Sequence, residues 1–171
     1  SQTPDVLDVG LDKTAYRSGE TAKLRLKPRF DGTALVSVMA DRLIESRVVD
    51  VTQGETEIDL TVTDDWSSGV YVTATLLRPM DVEAKRMPSR ALGLQWLSVD
   101  PGERRHTVEI EAPATLRPRS TMEVGLTIQG QPAGTPAFVT VAAVDVGILN
   151  LTRFQTPDPA GWYFGQRRLG M

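Results

Sequence analysis

The chain has 171 residues, 40% of them hydrophobic and 24% charged, a balance that supplies apolar material for a core and argues against disorder. A net charge of −3 gives no general pull toward nucleic acid or acidic membranes, and the lack of cysteine removes disulfide frameworks, thiolate metal sites and cysteine nucleophiles. No apolar run approaches the roughly 18–20 residues needed to cross a bilayer, and no basic-then-apolar leader opens the chain, so it reads as soluble, with Ser1 a processed or excised start and length enough for one domain or two small ones.

Val6 to Leu11 alternates loosely, and a polar loop with a Ser18-Gly19 turn signal follows. From Thr21 to Lys27 the alternation is strict: Ala22, Leu24 and Leu26 share one face and Lys23, Arg25 and Lys27 the other, as in a half-buried strand. Pro28 ends it. Ala34 to Ala40 and Leu43 to Val51 read as two strands joined at Asp41-Arg42, and Thr56 to Thr63 alternates cleanly again. After the turn Asp64–Gly69, Val70 to Arg78 and Ala91 to Val99 complete a set of about seven strands. No segment carries a 3.6-residue apolar period, and turns recur at intervals of roughly 8–14 residues, the pattern of an antiparallel β-sandwich.

Asp100-Pro101-Gly102-Glu103-Arg104-Arg105 is polar and turn-rich, so the chain divides into a complete sandwich over 4–99, a linker over 100–105 and a second unit over 106–171. A shift of about 100 residues aligns the two units. Tyr16–Leu26 falls over Leu116–Leu126, and Ala34–Val38 resembles Ala137–Val141. Strands are expected near Thr107–Ala112, Thr121–Ile128 and Ala137–Val146, with a further one at Ile148–Thr152. These are too few to finish a second sandwich, so an open edge and an apolar face should need strands from elsewhere.

Chemistry has few carriers. Asp64 and Asp65, adjacent on a turn, point apart and suit turn formation better than acid–base work or cation binding. His106, the only histidine, cannot build a catalytic or metal constellation alone. No nucleophile elbow, zinc-protease, P-loop or dinucleotide motif occurs, so no catalytic, cofactor-binding, metal or thioester residue is assigned and no cofactor is expected. Asn150-Leu151-Thr152 fits the glycosylation pattern, which arises commonly by chance. Asp145 interrupts an apolar run and either faces solvent at a strand end before Gly147 or finds hydrogen-bond partners. Trp162, Tyr163 and Phe164 with Arg167 and Arg168 form either an aromatic-basic patch or, the better reading without excess positive charge, rings docking a tail onto the sandwich.

Two motifs carry a resemblance. Ala143-Val144-Asp145-Val146-Gly147-Ile148-Leu149, continuing through Phe154 and Trp162–Gly170, resembles bacterial α2-macroglobulins, in which such a strand lies in the macroglobulin-like domain that bears the bait region. Tyr16-Arg17-Ser18-Gly19-Glu20-Thr21 is similar to the more widespread Tyr-x-x-Gly-Glu-Thr opening of macroglobulin-like domains. The resemblance implies an all-β fold of tandem seven-stranded sandwiches, the second incomplete, in a fragment of a large protease trap. Val144, Asp145, Gly147, Ile148 and Leu149 would form the family strand, and Phe154, Trp162, Tyr163, Phe164, Arg167 and Arg168 the approach to a bait beyond Met171.

It implies further that the parent is a periplasmic, lipid-anchored inhibitor of the cell envelope that presents a bait and closes on the protease that cuts it. Many members also use a thioester, which this cysteine-free stretch cannot supply. Expected partners are the remaining domains of the parent and target proteases, with a class A penicillin-binding protein added by family analogy and nucleic acid excluded. An alternative is a tandem immunoglobulin-like adhesion or carbohydrate-binding module with Trp66, Trp96 or Trp162 as sugar platforms. An accessory β-domain of a hydrolase ranks third.

Overall fold

Strict apolar alternation becomes two sheets that face each other. The computed structural model describes residues 5–169, and the chain separates into one unit that runs to Pro101 and includes the segment from Tyr163, and a second, Gly102–Trp162. In the first unit, strands β1 (Asp8–Leu11), β2 (Thr21–Lys27) and β5 (Thr56–Thr61) form a three-stranded sheet in the order β1-β2-β5. Strands β3 (Gly32–Met39), β4 (Leu43–Val51), β6 (Gly69–Arg78) and β7 (Ser89–Ser98) form a four-stranded sheet in the order β4-β3-β6-β7. Every pairing between these seven strands is antiparallel, so the all-β sandwich read from alternation and turn spacing is the fold observed.

The inward positions of both sheets meet in one core. Ala22, Leu24 and Leu26 of β2 lie against Val36 and Val38 of β3, Ile58 and Leu60 of β5, and Val70, Val72 and Leu76 of β6, all in one buried cluster with Trp66 and Tyr16. Each fully buried Leu or Val there contributes about 1.5–3 kcal/mol. The chain before β1 belongs to the other sheet: the Leu7 N–H donates to the Leu92 carbonyl at 3.0 Å and the Leu92 N–H to the Asp5 carbonyl at 2.9 Å. That crossover is possible because position 93 is glycine, where a Cβ would sit 2.1 Å from Val9 Cγ2 and 2.7 Å from the Leu7 carbonyl oxygen.

The outward faces of the two sheets differ in chemistry. On the three-stranded sheet Lys23 lies opposite Asp59 and Arg25 opposite Glu57, and the Lys23 ammonium reaches Glu57 at 2.6 Å. On the four-stranded sheet, cross-strand rows read Val48–Leu35–Thr75–Leu92, Ser46–Ser37–Thr73–Leu94 and Leu43–Met39–Tyr71–Trp96. Those three rows carry no charge.

The second unit departs from expectation. It contains β8 (Thr107–Glu111) paired with β9 (Gly125–Gln129) as a two-stranded antiparallel ribbon, and none of its described residues is buried. Val108 stands opposite Ile128 and Ile110 opposite Leu126, an apolar face backed by Thr107, Glu109, Glu111, Thr127 and Gln129. Residues 137–145, expected as a strand, form no regular element, and Val146–Thr152, expected to end one strand and form another, is a helix, α1. Gly147, Ile148 and Leu149 therefore lie on a helix, with Val144 and Asp145 just before it. Asp145 decides the matter locally: its carboxylate accepts the Gly147 N–H at 2.7 Å as an N-cap, satisfying a donor that a helix start leaves open. A second short helix, α2 (Pro159–Phe164), follows, with Asp158 accepting the Gly161 N–H at 2.9 Å.

Candidate functional site

The motif around Tyr16 is a structural knot. The Tyr16 ring is buried at 1% exposure, while its hydroxyl donates to Asp12 Oδ1 at 2.6 Å and accepts the Lys13 N–H at 3.0 Å. Asp12 also accepts the Lys23 N–H at 2.9 Å, which ties the loop to β2. The Gly19-Glu20 pair completes the turn: Gly19 adopts φ +87°, its N–H donates to the Val62 carbonyl at 2.8 Å, and the Glu20 carboxylate accepts the Arg17 N–H at 3.0 Å.

These bonds shift the titrations. The Tyr16 hydrogen bond, then the Lys23 amide, hold the Asp12 carboxyl below its ordinary value, and the Arg17 amide lowers Glu20. Burial, reinforced by Asp12, pushes the Tyr16 phenol up to about 12. The hydrogen bond to Glu57 raises Lys23.

The structure scatters the other candidates. Asp65 pairs with Arg42 at 3.2 Å on the turn Asp64–Trp66, His106 is exposed, and among the described residues no group of three or more His, Asp or Glu could hold a metal ion. Of the three proposed sugar platforms, Trp66 is 1% exposed. Trp96 is half-buried and packs edge-on to Tyr71 at 4.9 Å. Only Trp162 presents its ring, at 80% exposure. Tyr163 and Phe154 are also exposed, and Phe164 is half-buried.

The tail does reach the sandwich. Tyr163 is exposed and Phe164 half-buried, and beyond them the Tyr71 hydroxyl donates to the Arg167 carbonyl and Gln166 Nε2 donates to the Tyr71 oxygen at 3.1 Å. Arg167, Arg168 and Leu169 then line a cleft of about 530 Å³ with Tyr71, Trp96 and Arg42. Sequence reading passed over Tyr71, because its position in β6 predicts only an outward residue on an alternating strand. The one cue is that Tyr71 falls on the outward side of β6, level with Met39 and Trp96 on the neighbouring strands.

With this geometry in hand, comparison with known proteins is informative. A family model described as "Alpha-2-macroglobulin bait region domain" matches residues 7–151. An alpha-2-macroglobulin of Xylella fastidiosa strain Temecula1 is 37% identical over 169 residues, covering 98% of this chain and 10% of its own length. The alpha-2-macroglobulin of Escherichia coli strain K12 is 31% identical over 171 residues, again covering 98% of this chain and 10% of its own. Among solved structures, the native conformation of E. coli alpha-2-macroglobulin superposes with a TM-score of 0.71 at 26% identity, over 98% of this chain and 11% of that one. The trypsin-activated E. coli protein superposes with a TM-score of 0.72 at 27% identity, over 96% and 11%. This chain thus spans about a tenth of the length of the relatives it matches, and it belongs to the bait region domain family of the bacterial alpha-2-macroglobulins.

Proposed function

We propose that this chain is a mechanical part of a bacterial protease inhibitor that works by bait and trap, and that it performs no chemistry itself. The observation that carries the reading is the family match over residues 7–151. Two features support it. The first sandwich is held by one continuous core and by the Tyr16 knot, the properties of a frame that keeps its shape under load. The second unit presents an apolar ribbon face at Val108, Ile110, Leu126 and Ile128, which in the parent is covered by strands outside this chain. The bait follows the tail, and its cleavage relieves a constraint between packed domains. The parent works in the periplasm, anchored by lipid.

The test uses the full-length parent protein incubated with trypsin. Trapped trypsin should keep its activity on a small peptide substrate and lose it on a large protein substrate. Equal activity on both after bait cleavage would remove the trap reading.

A further inference from the structure

Arg167-Arg168 is a dibasic pair on an exposed tail, the kind of bond a trypsin-like protease selects by taking an arginine side chain into an acidic pocket. Both side chains are exposed and available to such a pocket. The backbone is not. Cleavage after Arg167 requires its carbonyl oxygen to enter the protease's oxyanion hole, where backbone N–H donors must contact it directly. In this structure that same oxygen accepts a hydrogen bond from the Tyr71 hydroxyl, and Gln166, one residue earlier, donates to the other side of that hydroxyl at 3.1 Å.

Tyr71 is itself held in place. It is 9% exposed, paired edge-on with Trp96 at 4.9 Å, and sits in β6 between β3 and β7. Trp96 in turn lies against Gly69, where a Cβ would fall 2.3 Å from the indole ring. The tail thus rests on a rigid support with its scissile carbonyl already engaged.

We infer that Tyr71 is a guard on the Arg167–Arg168 bond: the first sandwich clasps the tail through this carbonyl and shields the bond from arginine-specific proteases until the tail lifts off. Proteolysis then follows the population of the lifted form when docking is fast relative to cutting. Removing the hydroxyl deletes one hydrogen bond to the tail and leaves Gln166 without its acceptor, which should raise the lifted population roughly three- to tenfold. The inference stands on the tail's geometry and is independent of the inhibitor reading.

The experiment is limited trypsin digestion of the 171-residue chain and of two variants, with initial rates of cleavage after Arg167 and after Arg104 read by intact mass. Arg104-Arg105, a second exposed dibasic pair at the head of the other unit, is the internal reference. Tyr71→Phe keeps the ring that packs on Trp96. Gln166→Ala leaves the sandwich untouched altogether. Both should accelerate cleavage after Arg167 relative to cleavage after Arg104, Tyr71→Phe by roughly three- to tenfold and Gln166→Ala by less. An unchanged ratio in both variants would overturn the guard, and so would a rise at both pairs alike, which would report loosening of the whole chain.

Discussion

At the scale of single residues, Tyr16 shows how a short motif turns into a joint. Its ring is part of the buried core, while its hydroxyl and Asp12 fasten the loop after β1 to β2. The titrations of this joint predict a pH profile. Asp12 and Glu20 are depressed in the folded chain, so they contribute stability that is present above the ordinary carboxylate range and is lost as pH falls through their lowered values, below about pH 4. Tyr16 is raised to about 12, so its contribution is complete below the ordinary phenol value near 10 and disappears as pH climbs toward 12. Urea unfolding across both ranges should show a fall at each end, and Tyr16→Phe should flatten the alkaline fall. An alkaline fall of equal size in that variant would assign it to other groups. The motif Tyr16–Thr21 was legible in the sequence because its glycine and acid sit at turn spacing. Tyr71 was not, since its partner at Arg167 lies 96 residues away and no local pattern encodes a contact at that range.

At the scale of elements, the first sandwich was readable because β2, β3 and β5 bury alternate residues, and burial on one face imposes the period of two. The crossover of the N-terminal segment between sheets left no such trace. It rests on Gly93, whose missing side chain admits Val9 and the Leu7 carbonyl, and a glycine inside a strand signals close approach without naming the neighbour. Gly93→Ala should therefore destabilise the sandwich by about 1–3 kcal/mol through overpacking, read as a lower urea midpoint. Gly10→Ala, in β1 where nothing lies within 4 Å of the added Cβ, should be close to neutral or slightly stabilising. Equal losses for the two variants would mean the crossover is looser than the distances indicate.

The misread elements all lie beyond residue 100, and for a common reason. Among the described residues of the second unit no apolar side chain is buried, and Phe138 is 94% exposed and Leu151 83%. Without burial on a fixed face, local chemistry chooses the conformation. At Asp145 the chooser is an N-cap, and Val146–Thr152 winds into α1 although its residues also suit a strand. The ribbon of β8 and β9 forms where Val108, Ile110, Leu126 and Ile128 fall in register, yet two strands alone are marginal in water.

At the scale of the whole molecule, a unit with one continuous core is joined to a unit with no buried residue among those described, and the proposed reading makes the first self-sufficient and the second dependent on further strands of a longer parent. Amide hydrogen exchange, comparing the isolated chain with the full-length parent, tests this most directly. Strands β2, β3 and β6 should be equally slow in both proteins, whereas the amides of β8 and β9 should exchange quickly in the isolated chain and become slow in the parent. Ribbon amides as protected in the isolated monomeric chain as in the parent would contradict the account.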